Sequence, residues 1–317
     1  MLTTLAVTGP IYLVIALGWL AVRFEVLSRA DMRVLGTYVI KFALPALVFT
    51  ALSQRPVSDL LDARYLLAYT AGSLAVMLVA FAWGWRRQGK SFTLSALSGL
   101  GMSSSNSGYI GYPIAVQVVG AAPAAVALAM CMVVENLLMI PLAMAMADSG
   151  EGAARPWHRV LLQSLAQLAR HPVILAIVAG FGVALLQLPI SGTLSRTINM
   201  LAMSSTALAL FVIGGTLVGL STRGMRRDVS AIALGKLLLH PFAVGLLVWL
   251  MPPADPALRA AAVVYAGVPM LSIYPILAQK YHLDAFCAAA LLLTTVLSFL
   301  TISGNLWLLQ SVLGWTA

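Results

Sequence analysis

Glu135 is the one acidic residue of this 317-residue chain that lies far from the end of an apolar run, and Lys41 and Lys236 are the two bases set inside such runs. Insertion scales place the cost of a central Asp, Lys or Arg in a bilayer at about 2.5–3.5 kcal/mol, so a residue of this kind is paired, protonated or functional. Proton coupling at Glu135 is one chemistry open to it. Each lysine stands eight or nine residues beyond an arginine, roughly 12–14 Å along a helix, so its stem could also snorkel back to the surface. A second polar group lies in "GMSSSNSGYIGYPIAVQ", Gly101–Gln117, which carries Ser103, Ser104, Ser105, Asn106, Tyr112 and Pro113 inside a long apolar stretch.

A proline within a helix removes a backbone donor and clashes with the carbonyl four residues earlier. In hydrocarbon such irregular backbone survives only where protein or a wet cavity supplies partners. Gly111, just before Tyr112–Pro113, sharpens the break, and "VPMLSIYPILAQKY" (268–281) carries Pro269 and Pro275 around a second one. Matched interruptions in two halves point to a transport site, with half-helix ends whose free N–H groups suit an anion. The reading is that Pro113 and Pro275 mark a crossover binding an organic anion, flanked by Asn106, Gln117 and Gln279. Tyr112 and Tyr274 line the site or cap freed backbone. The bland alternative is a pair of packing kinks.

Catalysis finds no support in the motifs. Gly101–Met102–Ser103 is followed by Ser104 instead of the glycine of an intramembrane serine protease, and Ser105 occupies the last glycine of a nucleophile elbow. Gly99–Leu100–Gly101 opens a dinucleotide fingerprint that Ser104 interrupts. No HExxH occurs, and the aspartates sit in or beside loops. Cys131 and Cys287 fall inside apolar runs without a CxxC, which argues against a disulfide framework or a metal site. His171 and His240 each precede a proline near the end of a run and read as interface residues.

The elements that must position these groups are membrane helices. Hydrophobic residues make up 61% of the chain and charged residues 9%, far from a soluble domain's average. Ten apolar runs of about 20 residues, the length that crosses a bilayer, lie near 5–22, 34–52, 65–84, 92–119, 122–147, 172–188, 194–220, 229–251, 257–279 and 285–313. The first lacks a basic leader and reads as a retained span. If the N-terminus faces outside, alternate loops collect Arg23, Arg29, Arg33, Arg86, Arg87, Lys90, Arg155, Arg159, Arg170, Arg223, Arg226, Arg227 and Lys280, against Arg55, Arg64, Arg196 and Arg259 opposite. That bias follows the positive-inside rule and sets both termini outside a cell (inner) membrane. Topology thus accounts for the net charge of +9 without a nucleic-acid partner.

The chain also repeats itself. At an offset of 162, Pro10 meets Pro172, Gly18 meets Gly180, Phe49 meets Phe211, and "YPIAVQ" (112–117) meets "YPILAQ" (274–279). Five runs per half force the second copy to enter from the opposite side, an inverted-topology repeat. The expected fold is all-α and integral to the membrane: ten transmembrane helices as two inverted five-helix repeats, with helices 4 and 9 broken and crossing. The halves are 1–147 and 171–317, and 148–170 is a cytoplasmic linker.

"NSGYIGYPI" (106–114), "ALPALVF" (43–49), "VPMLSIYPILAQKY" and "ENLL" (135–138) resemble segments at the same relative places in the auxin efflux carrier family. The resemblance implies a fold shared with bile-acid sodium symporters, with helices 1, 2, 6 and 7 as a dimerising scaffold and helices 3–5 and 8–10 as a mobile transport unit. It implies that Asn106 and Asn136 face the solute, and it puts Glu135 and Lys236 in one unit where they could pair. The long central loop of the plant carriers is absent, and the second crossover offers Ser272 and Tyr274 in place of an asparagine. These departures argue against auxin itself as the cargo, and the resemblance to bacterial members of the family implies a carboxylate such as malate or malonate. The expected protein is a homodimeric secondary transporter of a small organic anion, working by elevator-type alternating access without a cofactor beyond H+ or Na+ coupling. A sodium-coupled symporter of the same fold and a non-transporting membrane sensor are the rivals.

Overall fold

The computed structural model describes residues 2–53, 62–150, 169–219 and 226–312, together with positions 162 and 166. Most of the expected linker, 151–161 included, lies outside the described residues. Among those described there is helix and no strand. In chain order the helices are α1 (Leu2–Arg23), α2 (Arg29–Ser53), α3 (Ala63–Arg87), α4 (Phe92–Ser103), α5 (Tyr112–Val119), α6 (Ala121–Gly150), α7 (Pro172–Leu186), α8 (Gly192–Thr216), α9 (Asp228–Leu250), α10 (Pro256–Gly267), α11 (Tyr274–Ala278) and α12 (Asp284–Val312). Six of them, α2, α3, α6, α8, α9 and α12, are long and apolar enough to cross a bilayer.

Short polar residues start many of these helices by occupying orphan N–H groups at the first turn. Ser28 and Asp31 form a capping box on α2. Asp62 accepts from Arg64 N and Tyr65 N at the head of α3, and its second oxygen accepts from Ala254 N at 2.8 Å, tying two loops together. Ser91, Ser191 and Asp255 cap α4, α8 and α10.

Among the described residues five one-turn π segments widen the helices, and four of them end two residues before a proline. Val39–Ala43 precedes Pro45, Ser107–Gly111 precedes Pro113, Glu135–Met139 precedes Pro141, and Gly235–Leu239 precedes Pro241. In each case the residue just before the proline donates to a carbonyl five residues back. The wider turn opens the ladder where a proline ring would strike the carbonyl four residues earlier. Lys41, Glu135 and Lys236 all sit in such turns.

Two groups of helices result. In one, α1 packs along α8, and α7 packs along α2, with α2 also against α8. Gly18 lies so close to the Phe211 carbonyl that a Cβ would overlap it, and a Cβ on Gly180 would come within 3.3 Å of the Phe49 carbonyl. In the other group α3 packs on α4 and α9, α4 on the end of α6, α10 on α5, α6 and α9, and α12 on α9, α10 and α11. Ion pairs at helix ends hold this second group together: Lys90 Nζ meets Asp228 Oδ1 at 2.8 Å, and Asp148 accepts from both Lys280 Nζ and the Tyr281 hydroxyl.

Two helical rods are interrupted, and of the prolines named from sequence Pro269 lies in a break while Pro113 and Pro275 do not. α4 stops at Ser103, and Ser104–Asn106 runs non-helically into the wide turn at Ser107. α10 stops at Gly267, and 268–273 is irregular before α11 begins at Tyr274–Pro275. Pro275 instead occupies the first turn of α11, where a missing N–H costs nothing and the fixed φ suits the helix, and Pro113 lies inside the rod that Asn106 caps, accommodated by the wide turn before it. The breaks fall upstream, in the serines, asparagine, valine and Pro269.

Candidate functional site

The two interruptions touch. Asn106 N donates to the Pro269 carbonyl at 2.8 Å, and Asn106 Nδ2 donates to Ser272 Oγ at 2.6 Å. The Asn106 side-chain oxygen accepts from Tyr109 N, and its carbonyl accepts from Ile110 N and Gly111 N. Asn106 is therefore both the cap of the second half-rod and the bolt between the crossing segments. Gly111 is required by a close approach: a Cβ there would come within 2.7 Å of the Tyr265 ring.

Behind the crossing lies a buried polar network. Glu135 Oε1 accepts from Ser105 N at 3.0 Å, from Ser107 Oγ at 2.9 Å and from the Tyr69 hydroxyl at 3.2 Å; Oε2 also accepts from Ser107 Oγ at 2.9 Å. Lys236 is fully buried and spends its three ammonium hydrogens on Ser105 Oγ at 2.7 Å, His240 Nδ1 at 2.7 Å and the Ala266 carbonyl at 2.9 Å. Because His240 Nδ1 accepts from an ammonium, its Nε2 is assigned the proton and donates to Ser73 Oγ at 2.9 Å. Glu135 and Lys236 make no direct ion pair within 4.0 Å. Ser105 joins them, its amide serving the carboxylate and its hydroxyl oxygen the ammonium. Burying both charges is tolerable because each is saturated with hydrogen bonds and balanced by the other. The network also answers the backbone question raised by the break: the freed groups at Ser105, Asn106, Ala266 and Pro269 all find protein partners.

Beside the crossing is a cavity of about 120 Å³ between α2, α6, the start of α7 and the two interrupted segments. Its polar wall consists of Ser105, Asn106, Ser107, Tyr109, Glu135, Asn136, His171 and Ser272, and its apolar wall includes Ile40, Leu44, Met132, Val173, Leu271 and Ile273. Of the candidates named from sequence, Ser105, Asn106, Glu135, Asn136 and Ser272 meet here. Asn136 Nδ2 also donates to the Met132 carbonyl at 2.8 Å, one turn back.

Other candidates lie elsewhere. Tyr112 and Tyr274 are fully buried but do not line the cavity; they donate to the carbonyls of Ala121 at 3.5 Å and Leu97 at 2.9 Å. Tyr265 does the same to Ala124 at 2.7 Å. Lys41 is exposed, away from the network. Gln117 and Gln279 are exposed, and Gln117 donates to its own helix at Pro113. Lys236 stands behind the wall and does not line the cavity.

Sequence reasoning missed Tyr109, His171 and the role of His240. Tyr109 donates from its hydroxyl to the Gly36 carbonyl on α2 at 2.9 Å, bonding the crossover to the first helix group. His171 lines the cavity, and His240 is not an interface residue but the fully buried partner of Lys236. For both the available signal was the following proline, which marks a helix start at Pro172 and a widened turn before Pro241.

Residues 7–306 match the family described as membrane transport protein. The chain belongs to this family, that of the auxin efflux carriers. It is a membrane transporter by that membership, and the family and its relatives are named for transport, not for catalysis. A protein of Rhizobium meliloti (strain 1021) named "Putative malonate transporter" is 30% identical over 303 residues, covering 95% of this chain and 94% of the relative. The "Uncharacterized transporter YfdV" of Escherichia coli (strain K12) is 24% identical over 308 residues, covering 95% and 96%. The relative of the same name in Shigella flexneri matches equally.

Proposed function

We propose that this transporter is a secondary carrier of a small carboxylate, and that the contact of Asn106 with Pro269 and Ser272 beside the cavity marks its cargo site. Pockets for drug-sized ligands run to about 300–1,000 Å³, so a cavity of about 120 Å³ suits a short aliphatic acid better than an indole acid. The name of the Rhizobium relative directs attention to malonate within that class.

The architecture in this reading is ten spans in two inverted repeats, 1–147 and 171–317 joined by the 148–170 linker, with both termini outside the inner membrane. Its support is the 162-residue offset: the Gly18–Phe211 and Gly180–Phe49 approaches are related by that one shift. The group of α1, α2, α7 and α8 serves as scaffold. Its exposed apolar residues, such as Leu13, Val178, Met200 and Met203, are left for lipid or for a second copy in a homodimer. The other group moves as the elevator, carrying the crossing and the Glu135–Ser105–Lys236 network with it. Relative motion of the groups breaks the Tyr109–Gly36 bond.

The test uses purified protein in a thermal-shift series of C2–C6 mono- and dicarboxylates and indole acids. Uptake into proteoliposomes follows, under imposed proton, sodium or solute gradients. Stabilisation by short carboxylates, lost in Asn106→Ala, together with flux is the expected result. Stabilisation without flux under any gradient overturns transport in favour of a sensor. Absence of any carboxylate response overturns the substrate class.

A further inference from the structure

We infer that His171 is a cargo-binding residue, donating a hydrogen bond from Nε2 to the carboxylate held at the crossing; this rests on the reading of the cavity as the cargo site. Among the described residues lining that cavity His171 is the only basic one. Every other polar side chain in the wall already serves the protein: Ser107 bonds Glu135, Tyr109 bonds Gly36, Asn136 bonds Met132, and Asn106 bonds Ser272. The imidazole of His171 makes no hydrogen bond among the described residues, although it stands at the head of α7 where a side-chain cap would be usual.

The two ring nitrogens differ. Nδ1 is sealed from solvent without a partner. A buried N–H without an acceptor is rarer and costlier than a buried lone pair, so the neutral tautomer places the hydrogen on Nε2. That leaves Nε2–H as the donor available to a cargo in the cavity. A carboxylate there meets the Nε2–H of His171, while the carboxylate of Glu135, turned onto Ser105, Ser107 and Tyr69, is already occupied by protein donors. His171 thus supplies the attraction for an anion that the saturated Lys236 does not.

Glutamine and asparagine separate the two nitrogens, because a glutamine amide reaches the place of Nε2 and an asparagine amide only that of Nδ1. The experiment measures malonate and acetate binding to His171→Gln, His171→Asn and His171→Ala by calorimetry, with the melting temperature of each unliganded protein. We expect His171→Gln to bind within about threefold of the unmodified protein. His171→Asn and His171→Ala should lose roughly 10- to 100-fold, as for a hydrogen bond to a charged group, at unchanged melting temperature. Unaltered binding in His171→Ala, or retention by Asn and loss by Gln, overturns the assignment while the carrier reading stands. If His171→Ala melts early, the Gln and Asn variants decide between these outcomes. Failure of the unmodified protein to bind any carboxylate overturns the carrier reading and this assignment with it.

Discussion

Replacing Lys236 by methionine keeps most of the stem and removes the ammonium. The structure sets the size of the effect. Two acceptors, His240 Nδ1 and the Ala266 carbonyl, lose this donor inside the protein, and Ser105 Oγ keeps only the long bond from the Tyr69 hydroxyl at 3.4 Å; a buried polar group left alone costs about 1–3 kcal/mol. Glu135 keeps its hydrogen bonds but loses its counter-charge. The hydroxyl of Ser105 and the ring of His240 can turn to other partners, so the costs do not simply add. The expected loss is roughly 3–5 kcal/mol, the range for breaking one side of a buried pair. Glu135→Gln should then restore part of it, because the amide oxygen still accepts from Ser105 N and no isolated charge remains. Equilibrium unfolding of the single and double variants in mixed detergent micelles gives the cycle. A coupling of about 1–3 kcal/mol is expected for residues in one hydrogen-bond network. Additive losses would refute the idea that Ser105 transmits the balance between the two charges.

Gly111→Ala should destabilise by about 1–3 kcal/mol through overpacking on the Tyr265 ring, and Tyr265→Leu in the same chain should relieve it in thermal unfolding. Tyr109→Phe removes one bond between the helix groups; at about 0.5–1.5 kcal/mol for a neutral hydrogen bond, transport rate or cysteine accessibility at the crossing should shift by roughly two- to tenfold, with folding stability little changed. Asp148→Asn breaks the charge contact with Lys280 while keeping an acceptor for Tyr281, so its melting temperature should fall further than that of Tyr281→Phe.

Local pattern made some features readable and left others dark. The run near 65–84 is α3 with its ends moved by a few residues, and the run near 229–251 is α9, because apolar length alone specifies a membrane helix. The breaks were legible as composition but not as position. Proline suggested them, yet Pro113 follows a widened turn inside a rod and Pro275 starts a helix, while Ser104–Asn106 and 268–273, the latter with Pro269, are the segments that leave the helical path. A proline's effect depends on what precedes it, and four times the chain meets it with a widened turn. Glu135, Asn106, Asn136, Ser105 and Ser272 could be named as a polar set. That Ser105 lies between Glu135 and a lysine 131 residues further on could not, since no periodicity spans such a separation. His171 was hidden for a plainer reason: a histidine beside a proline at a run's edge looks like surface until the fold closes a cavity around it.

Ser105 reaches its two charged neighbours by different means, the carboxylate through the main chain and the ammonium through the hydroxyl. Were residues 104–106 to wind into regular helix, the Ser105 amide would turn towards the Gly101 carbonyl, four residues back, and desert Glu135. Glu135 would then keep only the Ser107 and Tyr69 hydroxyls, and a less well screened carboxylate would face the chamber meant for an anion. Kinked backbone at this spot is thereby tied to the sign of the potential inside: the rod cannot straighten without making its own pocket hostile to what it holds.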